Sequence, residues 1–413
     1  MKSMNDRTLL PDWINGISES STITALISGI AVAAFWSTAL VEILAAALLV
    51  SLLVYRLNAP GGRLNPTGAA RHSSRSTLTA LALWIIYVGT VAASFLFSHT
   101  SVFLHPGLVW HPFLFPAILF APAGKKGIAT VGKSLLVSGA CAAALFLIRH
   151  LAFGSPETES TFVGLTTLAD LFAMAGIVTV ALLAETGESV LMTRSIVGSG
   201  FLILLATCWT SELAPVLTLL LASTLLVPAL TPRLKLTWIG TLTASVVLSP
   251  MLFISKLQWM ISGRHVDRYV AWREGARLLL KSPLFGYGPE CYVRILPAET
   301  WAKFTNKPPG SWHNDFLQTG LDSGPIAGVA LAALILFVLG LSVAVAWKKS
   351  QIGGDSIPKA LSLLLTGLVA FAMVGGVITT TILSIVFWTV LGMNLRLATH
   401  PAPKSETEKA PSE

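Results

Sequence analysis

The stretch that decides the fold is Gly324–Trp347, GPIAGVALAALILFVLGLSVAVAW, which carries no charged side chain. At about 1.5 Å of rise per residue, a helix of this length crosses a hydrocarbon layer of about 30 Å. The run is continuous in apolar residues rather than alternating. Only helices and closed barrels satisfy their backbone in lipid, and a continuous run selects the helix. The same signature recurs at about 23–38, 39–55, 77–97, 110–122, 128–152, 164–186, 195–209, 214–230, 236–256, 360–375 and 377–395. With Gly324–Trp347 these make about 12 segments, and the chain reads as an all-α, polytopic integral membrane protein. The first two segments also read as one long kinked helix, and so do the last two. The run at 110–122 is short, has Pro112 near its start, and reads as partly re-entrant.

Composition agrees. Hydrophobic residues make up 54% of the 413 positions and charged residues 12%, against about 25% charged in a soluble domain. The net charge of +8 belongs to loops that hold one membrane face, and no nucleic-acid partner is expected. Cys141 and Cys208 fall in apolar runs and Cys291 stands alone in a polar one. That is neither a disulfide framework nor a metal pattern, and no cofactor is expected.

Basic residues set the orientation. The segment Arg56 to Arg75, Lys125-Lys126, Arg194, Arg233 with Lys235, and Lys348-Lys349 all fall on one side if both termini are cytoplasmic and the chain crosses 12 times. The acidic connection with Glu157 and Glu159 then falls outside. The expected organisation is a cytoplasmic leader at 1–22, transmembrane helices 1–9 at 23–256, a large outer loop at 257–323, helices 10–12 at 324–395 and a disordered cytoplasmic tail at 396–413. The expected location is the bacterial inner membrane, multi-pass, with the large loop facing the periplasm.

That loop is a polar island directly before Gly324. It holds Arg264, Arg268, Arg273, Arg277 and Arg294 among other cations, several Gly/Pro turns, and His313. Its positive charge runs against the usual bias for an outer loop, which long loops tolerate; an anionic ligand at the membrane surface is a simple reason for it. Val266 to Leu280 reads as a helix that ends at Ser282-Pro283. Arg264 and Arg268 are four apart, as are Arg273 and Arg277, which places like charges on one face unless an anion lies between them.

Two patterns fit together here. One is Arg268-x-x-x-Trp272 followed by Pro283-x-x-Gly286-x-Gly288. The other is His313-Asn314, then nine residues, then Gly324, with Gly328 four beyond. In these features the chain resembles the O-antigen ligase/polymerase family, across about 60 residues. Ala327 stands where the family's second glycine is usual, and Thr210-Ser211-Glu212 has Glu where the family often carries Arg. The resemblance implies an undecaprenyl diphosphate-linked glycan donor, a lipid A–core acceptor and transfer without a nucleotide sugar.

The residues support that chemistry in their own right. An Arg fork binds phosphate oxygens bidentately and stays charged, which suits Arg268 as the diphosphate holder, with Arg264 and Arg273 in support. A hydroxyl acceptor needs a base near neutral pH, and His313 fits. Asp315 and Asp322 are alternative bases. Asn314, Trp272, Gly286 and Gly288 are expected at the substrate. With no metal motif, Arg rather than a divalent cation is expected to neutralise the leaving group. The polymerase of the same family is the near alternative. A 12-helix transporter or lipid flippase is the alternative from another class, although such proteins place polar groups near the midplane of repeated halves.

Overall fold

The computed structural model describes residues 19–58, 75–98, 106–121, 125–153, 163–185, 190–210, 212–227, 230–248, 264–301, 311–350 and 356–399. No strand occurs among them. In chain order the helices are α1 (Glu19–Ala33), α2 (Thr38–Asn58), α3 (Arg75–Ser98), α4 (Pro106–Trp110), α5 (Leu114–Leu119), α6 (Lys125–Phe153), α7 (Leu165–Glu185), α8 (Val190–Trp209), α9 (Leu213–Leu226) and α10 (Pro232–Val247). Then come α11 (Arg264–Leu279), the single turns α12 (Tyr292–Ile295) and α13 (Ala298–Trp301), α14 (Asp315–Asp322), α15 (Pro325–Ser350), α16 (Ser356–Val374) and α17 (Thr381–Thr399).

Among the described residues, α3, α6, α7, α8, α15, α16 and α17 are long and apolar enough to cross a membrane, and shorter apolar helices fall at Ser21–Ala33, Thr38–Val54, Gly107–Leu119 and Leu213–Leu226. The protein is an all-α, polytopic membrane protein. Its first two apolar runs form separate helices that pack on each other across the break at 34–37. The last two are separate as well, divided at 375–380. The run near 110–122 is broken by a 3-10 turn at His111–Phe113 and is too short to cross alone. The segment expected at 236–256 is helical to Val247; residues 249–263 lie outside the described residues. At the ends, α1 already begins at Glu19, and α17 continues to Thr399, where Arg396 donates to the Leu119 carbonyl (3.5 Å). The rest of the expected leader and tail, 1–18 and 400–413, lies outside the described residues.

Helix α7 is the axis of the bundle: 89% of its spanning window is buried, against 28% for the peripheral α3. It packs against α6, α8, α9 and α16. Lipid tails are as apolar as Leu, so helices associate through close packing at small residues. Gly139 on α6 meets Ala175 on α7, and Gly200 on α8 meets Thr179.

Polar ties mark the two ends of the bundle. At one end Ser356, at the start of α16, donates to the Ala181 carbonyl near the end of α7 (3.1 Å). At the other, Thr166 donates to Glu212 (3.4 Å), joining the starts of α7 and α9. Gly367 on α16 lies against Thr218 on α9, so the C-terminus of α16 is at this second end. The described parts of the polar segment, 264–301 and 311–324, dock there through Arg268 and Asn314.

Candidate active site

The two motifs of the polar segment are one backbone unit. The last carbonyls of a helix lack intrahelical partners. At the end of α14 they are taken by the glycine turn: Tyr287 N–H donates to Leu321 O (2.8 Å) and Gly288 N–H to Asp322 O (3.0 Å). Gly286 and Gly324 have φ of +74° and +92°, and a Cβ on them would approach the Asp322 backbone to 2.5 Å and the Leu284 carbonyl to 2.0 Å. Only glycine fits both the dihedral and the space. Gly288 lies against Ser98. Gly286 and Gly288, expected at the substrate, shape the frame at the end of α14. Ala327 is fully buried, and Gly328 faces Gly320, so small residues let α14 fold back on α15.

His313 sits on this frame with φ +49°. A left-handed non-glycine residue costs about 1–2 kcal/mol, and the surroundings hold it there. Trp272 on α11 donates its indole N–H to the Trp312 carbonyl (2.7 Å). Asn314 caps α14 by accepting from Leu317 N–H (2.9 Å) and donates its amide to the Met373 carbonyl (3.1 Å). Arg268 donates to the next carbonyl, Val374 (3.1 Å). Arg268 and Asn314 thus cap consecutive carbonyls at the C-terminus of α16, its negative dipole end. That holds the guanidinium at the same helix end as Asn314, the neighbour of His313. Among the described residues nothing hydrogen-bonds the His313 ring or the other Arg268 nitrogens.

Asp315 ties the other side of the same turn. It is fully buried, and its carboxylate accepts from Val377 N–H (2.6 Å), Ile378 N–H (2.8 Å) and Thr379 Oγ1 (3.2 Å). Burial pushes its pKa up to about 6, while these hydrogen bonds pull it down. Asp322 accepts from Cys291 N–H (3.1 Å) and the Gln318 amide (2.5 Å), and burial raises its pKa. The two aspartates, alternative bases by sequence, are committed to holding backbone and side-chain donors. Burial, and then the Arg268 charge, hold the His313 pKa below its usual value. The ring is therefore neutral at neutral pH and able to accept a proton.

The remaining candidates are not all brought together. Arg264 opens α11, but its side chain lies outside the described residues. Arg273 is exposed and lies over the Tyr269 ring (5.8 Å), and Arg277 pairs with Glu274 (3.4 Å). Neither turns toward His313. Trp272 acts through Trp312, as a positioning residue. Glu212 engages Thr166 rather than replacing an arginine in kind, and Ser211 lies outside the described residues. Sequence reasoning missed the 373–380 segment, which receives Arg268, Asn314 and Asp315; its one signal was Gly375-Gly376 between two apolar runs. No group of three or more His, Cys, Asp or Glu that could hold a metal occurs among the described residues.

Residues 172–332 match the family model described as O-antigen ligase. The match runs from α7 into α15 and takes in Arg268, the glycine turn and His313. The chain carries a domain of the O-antigen ligase/polymerase family. No curated protein matches the chain. For an O-antigen ligase-type domain the arrangement is chemically coherent. Arg268 and Asn314, the residue after His313, are both anchored to the same helix terminus at one end of the bundle.

Proposed function

We propose that the protein is an inner-membrane glycosyltransferase of the ligase type. It transfers a preassembled glycan from undecaprenyl diphosphate to a sugar hydroxyl of lipid A–core, with the 264–324 segment facing the periplasm. The observation that carries this reading is that Arg268 and Asn314, the residue after His313, cap consecutive carbonyls at the C-terminus of α16. His313 takes the acceptor proton as the hydroxyl oxygen bonds to the anomeric carbon. The bond from that carbon to the diphosphate breaks on the opposite face, so the configuration inverts. The electron pair leaves with undecaprenyl diphosphate, whose growing charge faces Arg268. A fork donor stabilises that charge best where water is scarce, and a half-buried site at a membrane edge supplies this.

The test is transfer by purified protein in nanodiscs, supplied with carrier-linked glycan and lipid A–core and read by gel shift. Glycan on lipid A–core supports the proposal. Longer carrier-linked chains with no such product would make the protein a polymerase. Movement of lipid-linked glycan across the bilayer without covalent product would make it a flippase.

A further inference from the structure

The turn that follows α11 exposes apolar side chains where a soluble loop would bury or avoid them. Leu280 is 90% exposed and Leu284 55%. Leaving such a side chain in water forgoes the free energy of burying it. The turn is not frayed: Lys281 N–H donates to Leu278 O (3.0 Å), Ser282 N–H to Leu279 O (3.1 Å) and Gly286 N–H to Pro283 O (2.9 Å). Phe285 stacks on Phe97 at the end of α3, with centroids 4.7 Å apart and planes within 6°. The Leu284 carbonyl abuts Gly324 at the start of α15. The turn is therefore held at the ends of two spanning helices that pack on each other.

Those helix ends present apolar side chains outward too: Leu96 and Phe97 on α3, Ile326 and Val329 on α15. Phe285, on Phe97, and Leu284, beside Gly324, bring apolar side chains from those helix ends into the segment that carries the site, and Leu280 adds another at the start of the same turn. Lys281 is exposed, and Arg277 projects a half-exposed side chain one turn before it. Apolar residues rimmed by cations match a phospholipid leaflet at the level where acyl chains meet phosphates.

We propose that the Leu280–Phe285 turn is a membrane-embedded wedge. It rests in the leaflet on the site's side of the bilayer, as an extension of the lipid-facing surfaces of α3 and α15. Its occupant is bilayer phospholipid, and it sets the height of α11, and so of Arg268, relative to the headgroups. This follows from the geometry of the bundle and holds whichever reaction the site performs.

An environment-sensitive fluorophore on a single cysteine tests it. With Cys141→Ala removing the exposed native thiol, Leu280→Cys and Leu284→Cys are each labelled with NBD, and Glu299→Cys, at an exposed position on α13, serves as the aqueous comparison. The labelled proteins are placed in phosphatidylcholine vesicles containing doxyl lipids. The wedge predicts blue-shifted emission at 280 and 284. Quenching there should be several-fold stronger from doxyl groups near the headgroup end of the acyl chain than from those near its methyl end. Emission and quenching indistinguishable from position 299 at both sites would overturn the proposal. Strongest quenching from the methyl end would overturn the placement at headgroup height. Reading two positions keeps the test decisive if one labelled variant loses its fold.

Discussion

Arg268 and Arg277 stand on the same helix and look alike in the sequence, each one of a pair of arginines four apart. At about 100° per residue, a separation of nine positions puts them on opposite faces. Arg268 lies against the C-terminus of α16 beside His313, with one nitrogen on the Val374 carbonyl. Arg277 faces outward and pairs with Glu274. One guanidinium is half-buried at a helix dipole; the other is a solvated ion pair. Charge count on a helix therefore says little about function until the face is known. What distinguishes Arg268 is the turn at 373–380, which is far away in sequence.

The largest effect is expected at the partner that Arg268 serves. His313→Ala should lower the rate of glycan transfer by about 10²–10⁴-fold, measured as kcat in nanodiscs, with helix content by circular dichroism unchanged. Arg268→Ala should cost about 10²–10³-fold, and Arg268→Lys should recover only part, because a point charge replaces a fork. Asp315→Asn turns an amide N–H₂ toward the Val377 and Ile378 donors. It should lower thermal stability by about 1–3 kcal/mol and depress kcat, as the turn that carries Arg268 and Asn314 loosens. Equal melting temperatures for Asp315→Asn and the native protein would remove Asp315 from the account.

The pH profile sharpens the same contrast. The folded His313 pKa lies below its ordinary 6.5. The neutral, base-competent ring therefore persists as pH falls through 6.5, and its activity is lost only below that, at the lowered pKa. The unfolded chain binds this proton more readily, so the stability that His313 contributes is lost as pH falls below 6.5. The residual activity of Arg268→Ala should show its acid limb shifted upward, toward 6.5, since one cause of the depression is gone. Arg277→Ala should leave that limb where it is. The smallest effect belongs to Arg277→Ala itself. An exposed ion pair is worth about 0–1 kcal/mol, so kcat and melting temperature should barely move.

Much of the fold was legible because lipid enforces a simple rule: about 20 apolar residues in a row make a helix that spans. Gly324–Trp347 could be read in no other way, and α11 was found within two residues of its expected ends. That Arg268 and Asn314 would lie near one another was also legible in part, because the Arg268 and His313-Asn314 motifs belong to one polar segment; the structure brings both side chains to the end of α16. The structural part played by the glycines was not legible, for a definite reason. Gly286 and Gly288 serve close backbone approach to the end of α14, and a spacing pattern cannot tell a turn that touches substrate from one that touches another turn. Asp315 was read as a spare base because its partners, Val377, Ile378 and Thr379, lie more than 60 residues away. Arg273 shared a motif's neighbourhood with Arg268, but it is exposed and lies over the Tyr269 ring.

In the proposed reaction His313 and Arg268 act together on one transferred glycan. The most direct measurement is a double-mutant cycle on kcat for transfer from undecaprenyl diphosphate to lipid A–core, using His313→Ala, Arg268→Ala and the double variant. Residues acting on one transition state are strongly non-additive, so the double variant should be little worse than the more damaging single one. Losses that multiply would show two independent contributions, and normal transfer by His313→Ala would contradict the account outright.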